Sequence, residues 1–350
     1  MPLRNHTPFP ALAWENIDAS NQNYMSSLCR VKYKLMQTDP TYSVWELSLD
    51  PQQGELFGSD IYIKEGDEKE LRYPSDYVPY KPNTDIIINA RSYAPERVPH
   101  RSWDCAVEVF NPYNKLILKK TLRVNGERFW RRAFIGWRLD KPEECKSIPI
   151  RYAHAFGGKA TLKHQEDHIY DEYNRAGCGL VHKEHIDKVI QAPRIESADI
   201  PIRHDKPYEH YLPQGFGAIE KTSYYRFRHA GKYDEAWLEN HHPLLPHDYN
   251  DAYNQSAHPD LIVQGYLLAQ SKLHFINLSE ENGVETFVLP DFTFTSRYVT
   301  NTTQVEKTMN IDTIIVDMDD ADRTKWRVYI SWRNRYPIDE TIQKVEIYCH

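Results

Sequence analysis

Nowhere does this 350-residue chain hold an apolar run approaching the roughly 20 residues that a membrane-spanning helix needs. Its opening, Met1-Pro-Leu-Arg-Asn-His-Thr-Pro, lacks the apolar stretch of a secretory signal. Cysteine is sparse: Cys29, Cys105, Cys145, Cys178 and Cys349 are odd in number, scattered, and contain no Cys-x-x-Cys. That speaks against a disulfide framework and suits reduced thiols in the cytoplasm. There is no excess of positive charge. Forty-three basic residues stand against 50 acidic ones, a net charge of −7, which argues against non-specific nucleic-acid binding because that needs a basic face. Neither a Gly-x-Ser-x-Gly nucleophile elbow nor a glycine-rich phosphate loop is present. Patterns long enough for sustained helices are missing too, and 22 prolines keep any helix short.

What is present is alternation. Trp103, Cys105, Val107 and Val109 alternate with polar or small residues, and Leu116, Leu118, Leu122 and Val124 carry the register into a second strand after the turn Asn111-Pro-Tyr-Asn114. Val328, Ile330 and Trp332 repeat the pattern, as do Val345, Ile347 and Cys349. The 24 tyrosines and 8 tryptophans suit half-buried strands, and equally suit recognition surfaces. Helix is expected over 234–240, where Asp234 is a competent N-cap, and more weakly over 162–174 and 184–191. The fold class is therefore mainly β with short helices, a β-rich α+β chain. Its length favours two domains, and the charged stretch Asp140-Lys-Pro-Glu-Glu-Cys-Lys146 marks the expected boundary. Residues 1–145 read as an antiparallel sandwich-like domain and residues 146–350 as a second β-rich unit with helical insertions.

Several residue groups invite a chemical reading. His164 and His168 stand four apart beside Glu166 and Asp167, His182 and His185 lie near Asp187, and His241, His242 and His247 form a third group. Such spacing can hold zinc and would make the chain a metal-dependent hydrolase, although the His-Glu-x-x-His order is absent. Sixteen histidines in a polar chain also produce such near-pairs without any metal. Asp317-Met-Asp-Asp-Ala-Asp322 has the alternating carboxylates of a calcium loop, but lacks its turn glycine and closing glutamate, so it reads as a charged hairpin tip. Arg123, Arg128, Arg131 and Arg132 cluster in sequence as a solvated strand edge or an anion site. Phe156-Gly-Gly158 reads as a structural turn, or as a nest of N–H groups for an anion. Cys178 has His182 nearby, but nothing in the sequence depresses its pKa. Pro74, Pro79 and Pro82 remove three donors within nine residues. That segment cannot pair as a central strand and is expected to cross the sheet as a rigid connection held by Lys81 and Asp85.

Two longer motifs carry a resemblance. Ser75-Asp76-x-x-Pro79-x-Lys81-Pro82-x-Thr84-Asp85, followed by Ile86–Ile88, and Pro149-x-x-Tyr152-x-x-Ala155-Phe156-Gly157-Gly158 are similar to the signatures of a bacterial family, the domain of unknown function 2169 family. Further stretches resemble other blocks of that family. They include Gly126-Glu-Arg128-Phe-Trp130, with Glu127 in the acidic position, Gly215-Phe-Gly217, and Ala230-Gly-Lys-Tyr233-Asp234-Glu-Ala-Trp237-Leu238. Asn174-Arg-Ala-Gly-Cys-Gly179 departs from the family's turn by lacking its proline. The resemblance implies a stand-alone, cytoplasmic adaptor or chaperone of type VI secretion, without pentapeptide-repeat or toxin-like modules. Its partners would be a toxic effector protein, a secretion spike protein, or both, and it would need no cofactor and insert in no membrane. The motif positions would be structural or partner-binding rather than catalytic. A carbohydrate-binding module remains a fold-level analogy only.

Overall fold

In the computed structural model, which describes residues 3–37, 44–63, 69–163, 168–280 and 284–350, the alternation at Trp103 to Val109 is a strand, Ser102–Phe110, with those four side chains buried. It pairs antiparallel with Leu116–Asn125 across the expected turn. There Asn111 Oδ1 accepts the backbone N–H groups of Tyr113 and Lys115. Asn114 takes φ = 61°, a left-handed conformation that asparagine tolerates. A register shift between Leu116 and Leu118 separates the exposed Leu116 from Leu122 and Val124, which are fully buried. Ile195–Ser197, Lys272–Ile276 and Val284–Val288 complete a five-stranded sheet.

The larger sheet has seven strands. Its path runs Ala11–Ile17, Asn23–Gln37, Arg327–Pro337, Asn310–Asp317, Thr84–Asn89, Ile262–Val263, and Trp45–Leu49 pairs with Asn23–Gln37 beside it. Asn310–Asp317 and Thr84–Asn89 are parallel, and the other neighbours antiparallel. Thr84–Asn89 is buried along its whole length. That explains why Ile86, Ile87 and Ile88 run together without alternation, as they must in a strand paired on both sides and covered on both faces. A smaller sheet joins Leu3–Asn5, Lys344–Cys349, Phe294–Val299 and Gln304–Thr308. One apolar core draws on residues from Phe9 to Ile347.

The chain is mainly β, with two short α-helices among the described residues, Tyr224–Phe227 and Glu235–Asn240. The second begins as its sequence demands, with Asp234 Oδ1 accepting the Trp237 N–H at 2.9 Å. The weaker helices do not form among the described residues. Ile169–Tyr170 and Val189–Gln191 are short strands, paired to Lys159–Ala160 and Phe129–Arg132. The division at 145 does not follow the sheets either. Both large sheets take strands from either side of it, and the charged stretch is itself paired, with Cys145 and His100 exchanging backbone hydrogen bonds at 3.0 Å. Ladder hydrogen bonds disregard sequence distance, so a local excess of charge marked a surface connection and not a linker. Among the described residues no helix is long and apolar enough to cross a membrane.

The proline segment crosses this sheet as expected. Residues 74–83 form no strand, and their carbonyls are met by side chains instead. Arg333 donates to the Asp76 and Val78 carbonyls, Ser26 to Pro79 at 2.5 Å, Asn254 to Tyr80 at 2.9 Å, and Tyr266 to Lys81 at 2.6 Å. Three buried ion pairs bind the crossing to its surroundings: Arg30–Asp76 at 2.5 Å, Lys81–Asp85 at 2.7 Å, and Arg333–Asp312. Asp85 also accepts hydrogen bonds from Gln255 Nε2 (2.5 Å) and Ser256 N (2.8 Å). Replacing Asp85 with Ala strands a buried ammonium and three further donors. We expect a loss of about 3–5 kcal/mol, read as a lowered urea midpoint with an unchanged denaturant slope.

Candidate functional site

The second motif builds a turn. Asn174 Nδ2 donates to the carbonyls of Tyr152 (2.8 Å) and Phe156 (3.0 Å), and Gly158 N donates to the Asn174 carbonyl at 2.8 Å. Glycine is required here. Gly157 and Gly158 have φ = 142° and 86°, and a Cβ on either would sit 2.2 or 2.3 Å from a backbone oxygen of the facing 174–177 loop. The close approach lets Phe156–Gly157 pair in parallel with Cys178–Gly179, so the Gly158 amide serves the turn and the structural-turn reading holds for it.

Beside this turn lies a cleft of about 420 Å³ that draws its lining from separated parts of the chain. Tyr62, Glu70 and Leu71 come from one side, Tyr152, Tyr173 and Asn174 from a second, and Ala218 to Ser223 from a third. Gly215 lies behind the Tyr152 ring, where a Cβ would come within 2.9 Å of it. Ser223 Oγ ties the third side to the second by donating to the Tyr173 carbonyl at 2.6 Å. The helix Tyr224–Phe227 begins at the rim, with Tyr224 edge-on to Tyr173 at 5.2 Å between ring centres, and Tyr224 and Phe227 are 38% and 58% exposed. Glu70 is buried, its carboxylate accepting the N–H groups of Tyr152 (2.7 Å) and Ala153 (3.4 Å). Burial nevertheless pushes its pKa up to about 7.

The other motif residues are placed in different surroundings. Ser75, Asp76, Pro79, Lys81 and Pro82 belong to the crossing segment, where Ser75 N also donates to Asp60 Oδ1 at 2.8 Å, and Asp85 lies in the strand Thr84–Asn89 that follows it. Arg128 is buried, but its acidic partner is Glu196 at 3.0 Å rather than Glu127, which is exposed. Trp130 is fully buried near Phe156 in a small second core. Tyr233, Asp234 and Trp237 surround the helix Glu235–Asn240. Tyr233 is 55% exposed and edge-on to Trp237, whose Nε1 donates to the Leu244 carbonyl at 2.9 Å. Of the remaining clustered arginines, Arg123 pairs with Asp104 and Arg131 with Asp140, while Arg132 donates to the His185 carbonyl at 3.1 Å.

His164, Glu166 and Asp167 lie outside the described residues. Among the described ones, no group of three or more His, Cys, Asp or Glu side chains is placed to hold a metal. His185 is buried edge-on to Trp137, and burial lowers its pKa. His241 and His247 are close neighbours at 4.0 Å between ring centres. The Cys178 thiol is half-buried, and burial pushes it up to about 12, the reverse of an activated nucleophile. Asp317 to Asp322 is a hairpin tip between Asn310–Asp317 and Arg327–Pro337. Asp317 there receives Arg72 at 2.9 Å, and Asp319 receives Arg151 at 2.9 Å.

One buried group has no counterpart in the sequence reading. Lys120 Nζ donates to Gln214 Oε1 (2.8 Å) and Asp260 Oδ2 (2.9 Å), 3.1 Å from His258 Nδ1. Burial lowers the Lys120 pKa. Burial and the neighbouring ammonium bring His258 down to about 3. The signal was available: Lys120 sits between Leu118 and Leu122 on the inward register of its strand, a charge where the alternation demands an apolar side chain.

A family model described as "Uncharacterized protein conserved in bacteria (DUF2169)" matches residues 20–333. No curated protein and no solved structure matches the chain.

Two outcomes are expected from this geometry. Gly157→Ala should lower stability by more than about 2 kcal/mol, whereas Gly58→Ala, which meets only a Tyr77 carbon at 4.0 Å, should leave the melting temperature nearly unchanged. Glu70 retains a proton in the folded state to about pH 7, against an ordinary value of 4.5, so the folded chain binds more protons than the unfolded one across that window. Its contribution therefore makes stability fall as pH rises from about 4.5 to 7. Glu70→Gln should remove that component of the slope, up to roughly 3 kcal/mol, in paired urea titrations at pH 5 and pH 8.

Proposed function

The chain belongs to the DUF2169 family of proteins conserved in bacteria, and from that premise we propose that it is a cytoplasmic adaptor or chaperone of type VI secretion. It binds a toxic effector and promotes the effector's stability or its loading onto the secretion spike. Partner capture, rather than bond chemistry, is its work. The observation that carries this reading is the aromatic rim of the cleft. Tyr224 stands partly exposed against Tyr173 at a recess lined by Tyr62, Tyr152 and Tyr173, and Phe227, 58% exposed, ends the same helical turn. Tyr233 and Leu238, 55% and 60% exposed, lie in the segment that follows. Aromatic side chains with a polar tip bury large area while losing few rotamers, which suits them to anchor a partner. Exposed edges such as Gln304–Thr308, paired only to Phe294–Val299 among the described residues, offer a partner's strand further backbone hydrogen bonds.

The test is direct binding between the purified full chain and the effector and spike proteins encoded beside its gene, measured by calorimetry. The expected result is a complex with at least one of them that Tyr224→Ala/Phe227→Ala weakens at least about tenfold, with the melting temperature retained. A chain that binds neither protein overturns the reading.

A further inference from the structure

The hairpin of Phe129–Arg132 with Trp137–Leu139 ends in an arrangement that a free surface has no use for. Its turn is closed by Ala133 N donating to the Gly136 carbonyl at 2.9 Å, with Gly136 at φ = 73°. At its tip Phe134 and Ile135 are 105% and 89% exposed. Its base is rigid, because Trp130 and Trp137 are buried in the small core with Phe156 and Tyr211. Arg132 Nη1 also fastens it to the His185 carbonyl at 3.1 Å. Exposing both side chains forgoes the gain that their burial would bring. Beside the tip, Ile186 and Val189 are each 46% exposed, and Val189 lies opposite Arg131 in the sheet.

The charge around the tip differs from that of the chain. In residues 129–140 and 182–191, the exposed cations Arg131, Arg132, Arg138, Lys183 and Lys188 outnumber the carboxylates by two, whereas the whole chain carries −7. We infer that the Phe134–Ile135 tip is a plug that seats in an apolar socket on a partner protein, with carboxylates around the socket's mouth. A convex tip needs a concave receiver, and the exposed Arg138 guanidinium beside it needs an acceptor once the apolar pair is buried. A protein socket is favoured over an anionic bilayer, because two apolar side chains beside a local excess of two cations, on a chain of net −7, give only marginal membrane affinity.

This inference rests on the adaptor reading and deepens it, and the test separates their failures. The full chain, Phe134→Ser/Ile135→Ser and Arg138→Glu are each titrated by calorimetry against the effector and spike proteins encoded beside the gene. They are also tested for co-sedimentation with phosphatidylcholine vesicles containing phosphatidylglycerol, and for self-association by ultracentrifugation. The tip is fully exposed, so both variants should keep the parent melting temperature. The expected result is at least about thirty-fold weaker partner binding by the double variant, a smaller and salt-sensitive loss for Arg138→Glu, and no binding to vesicles. Undiminished binding by the double variant overturns the plug while leaving the adaptor reading intact. Binding of neither protein by the parent chain overturns both. Tip-dependent binding to vesicles, or tip-dependent self-association, overturns the plug in favour of a membrane or a second copy of the chain.

Discussion

A buried backbone without a ladder is the constraint on which the rest of this protein depends. Between Pro74 and Asn83 the prolines withhold N–H groups, so the segment cannot be a strand, yet it passes through the interior beside the seven-stranded sheet. Buried carbonyls must then find donors elsewhere. They find them on Ser26, Asn254, Tyr266 and Arg333, which come from widely separated parts of the chain. Each donor fixes its own strand or loop relative to the crossing. The same logic accounts for the buried charges. Arg30 and Arg333 are there because a guanidinium can satisfy a carboxylate and a carbonyl together, and Asp76 and Asp312 because a buried guanidinium needs a counter-charge.

Close backbone approach organises the neighbouring region in a complementary way. The Gly157–Gly158 pair lets the 174–177 loop come within a distance that no side chain permits, and Asn174 then fastens Tyr152 and Phe156 from the other side. The cleft follows from that packing. Tyr152 occupies the space left by Gly215, Glu70 takes up the two amides that start the next turn, and Tyr173 and Tyr224 close the rim. Motif residues as far apart as Tyr152 and Gly215 thus pack against each other beside the exposed Tyr224.

Some of this was legible beforehand, and the reasons are physical. Alternation at Trp103 to Val109 identifies a strand because side chains in an extended backbone face opposite ways. Asp234 identifies a helix start because only a short polar side chain can reach the Trp237 amide. That Lys81 and Asp85 hold the proline segment was expected from the sequence; that they do so as an ion pair with each other came from the structure. Where reading failed, the missing term was a distant partner. Glu127 precedes Arg128 but points to solvent, and Glu196 reaches the guanidinium because Ile195–Ser197 pairs with Leu116–Asn125. The stretches 169–174 and 184–191 contain polar residues tolerable in a helix, yet their strand partners lie at Lys159–Ala160 and Phe129–Arg132.

The sequence by itself determined the class of the fold, the main strands, the helix after Asp234 and the crossing at the prolines, since each depends on side-chain direction, φ restriction or capping within a few residues. The tertiary structure alone decided that both ends of the chain share one sheet across the expected boundary at 145, that Glu70 and Lys120 are buried titratable groups, and that Tyr152 and Tyr173 line one cleft with Tyr224 packed against Tyr173. It also decided that Phe134 and Ile135, ordinary residues in a list, stand in water at the tip of a braced hairpin. Pairing, burial and exposure are properties of what surrounds a residue, and those surroundings come from parts of the chain that local pattern does not reach.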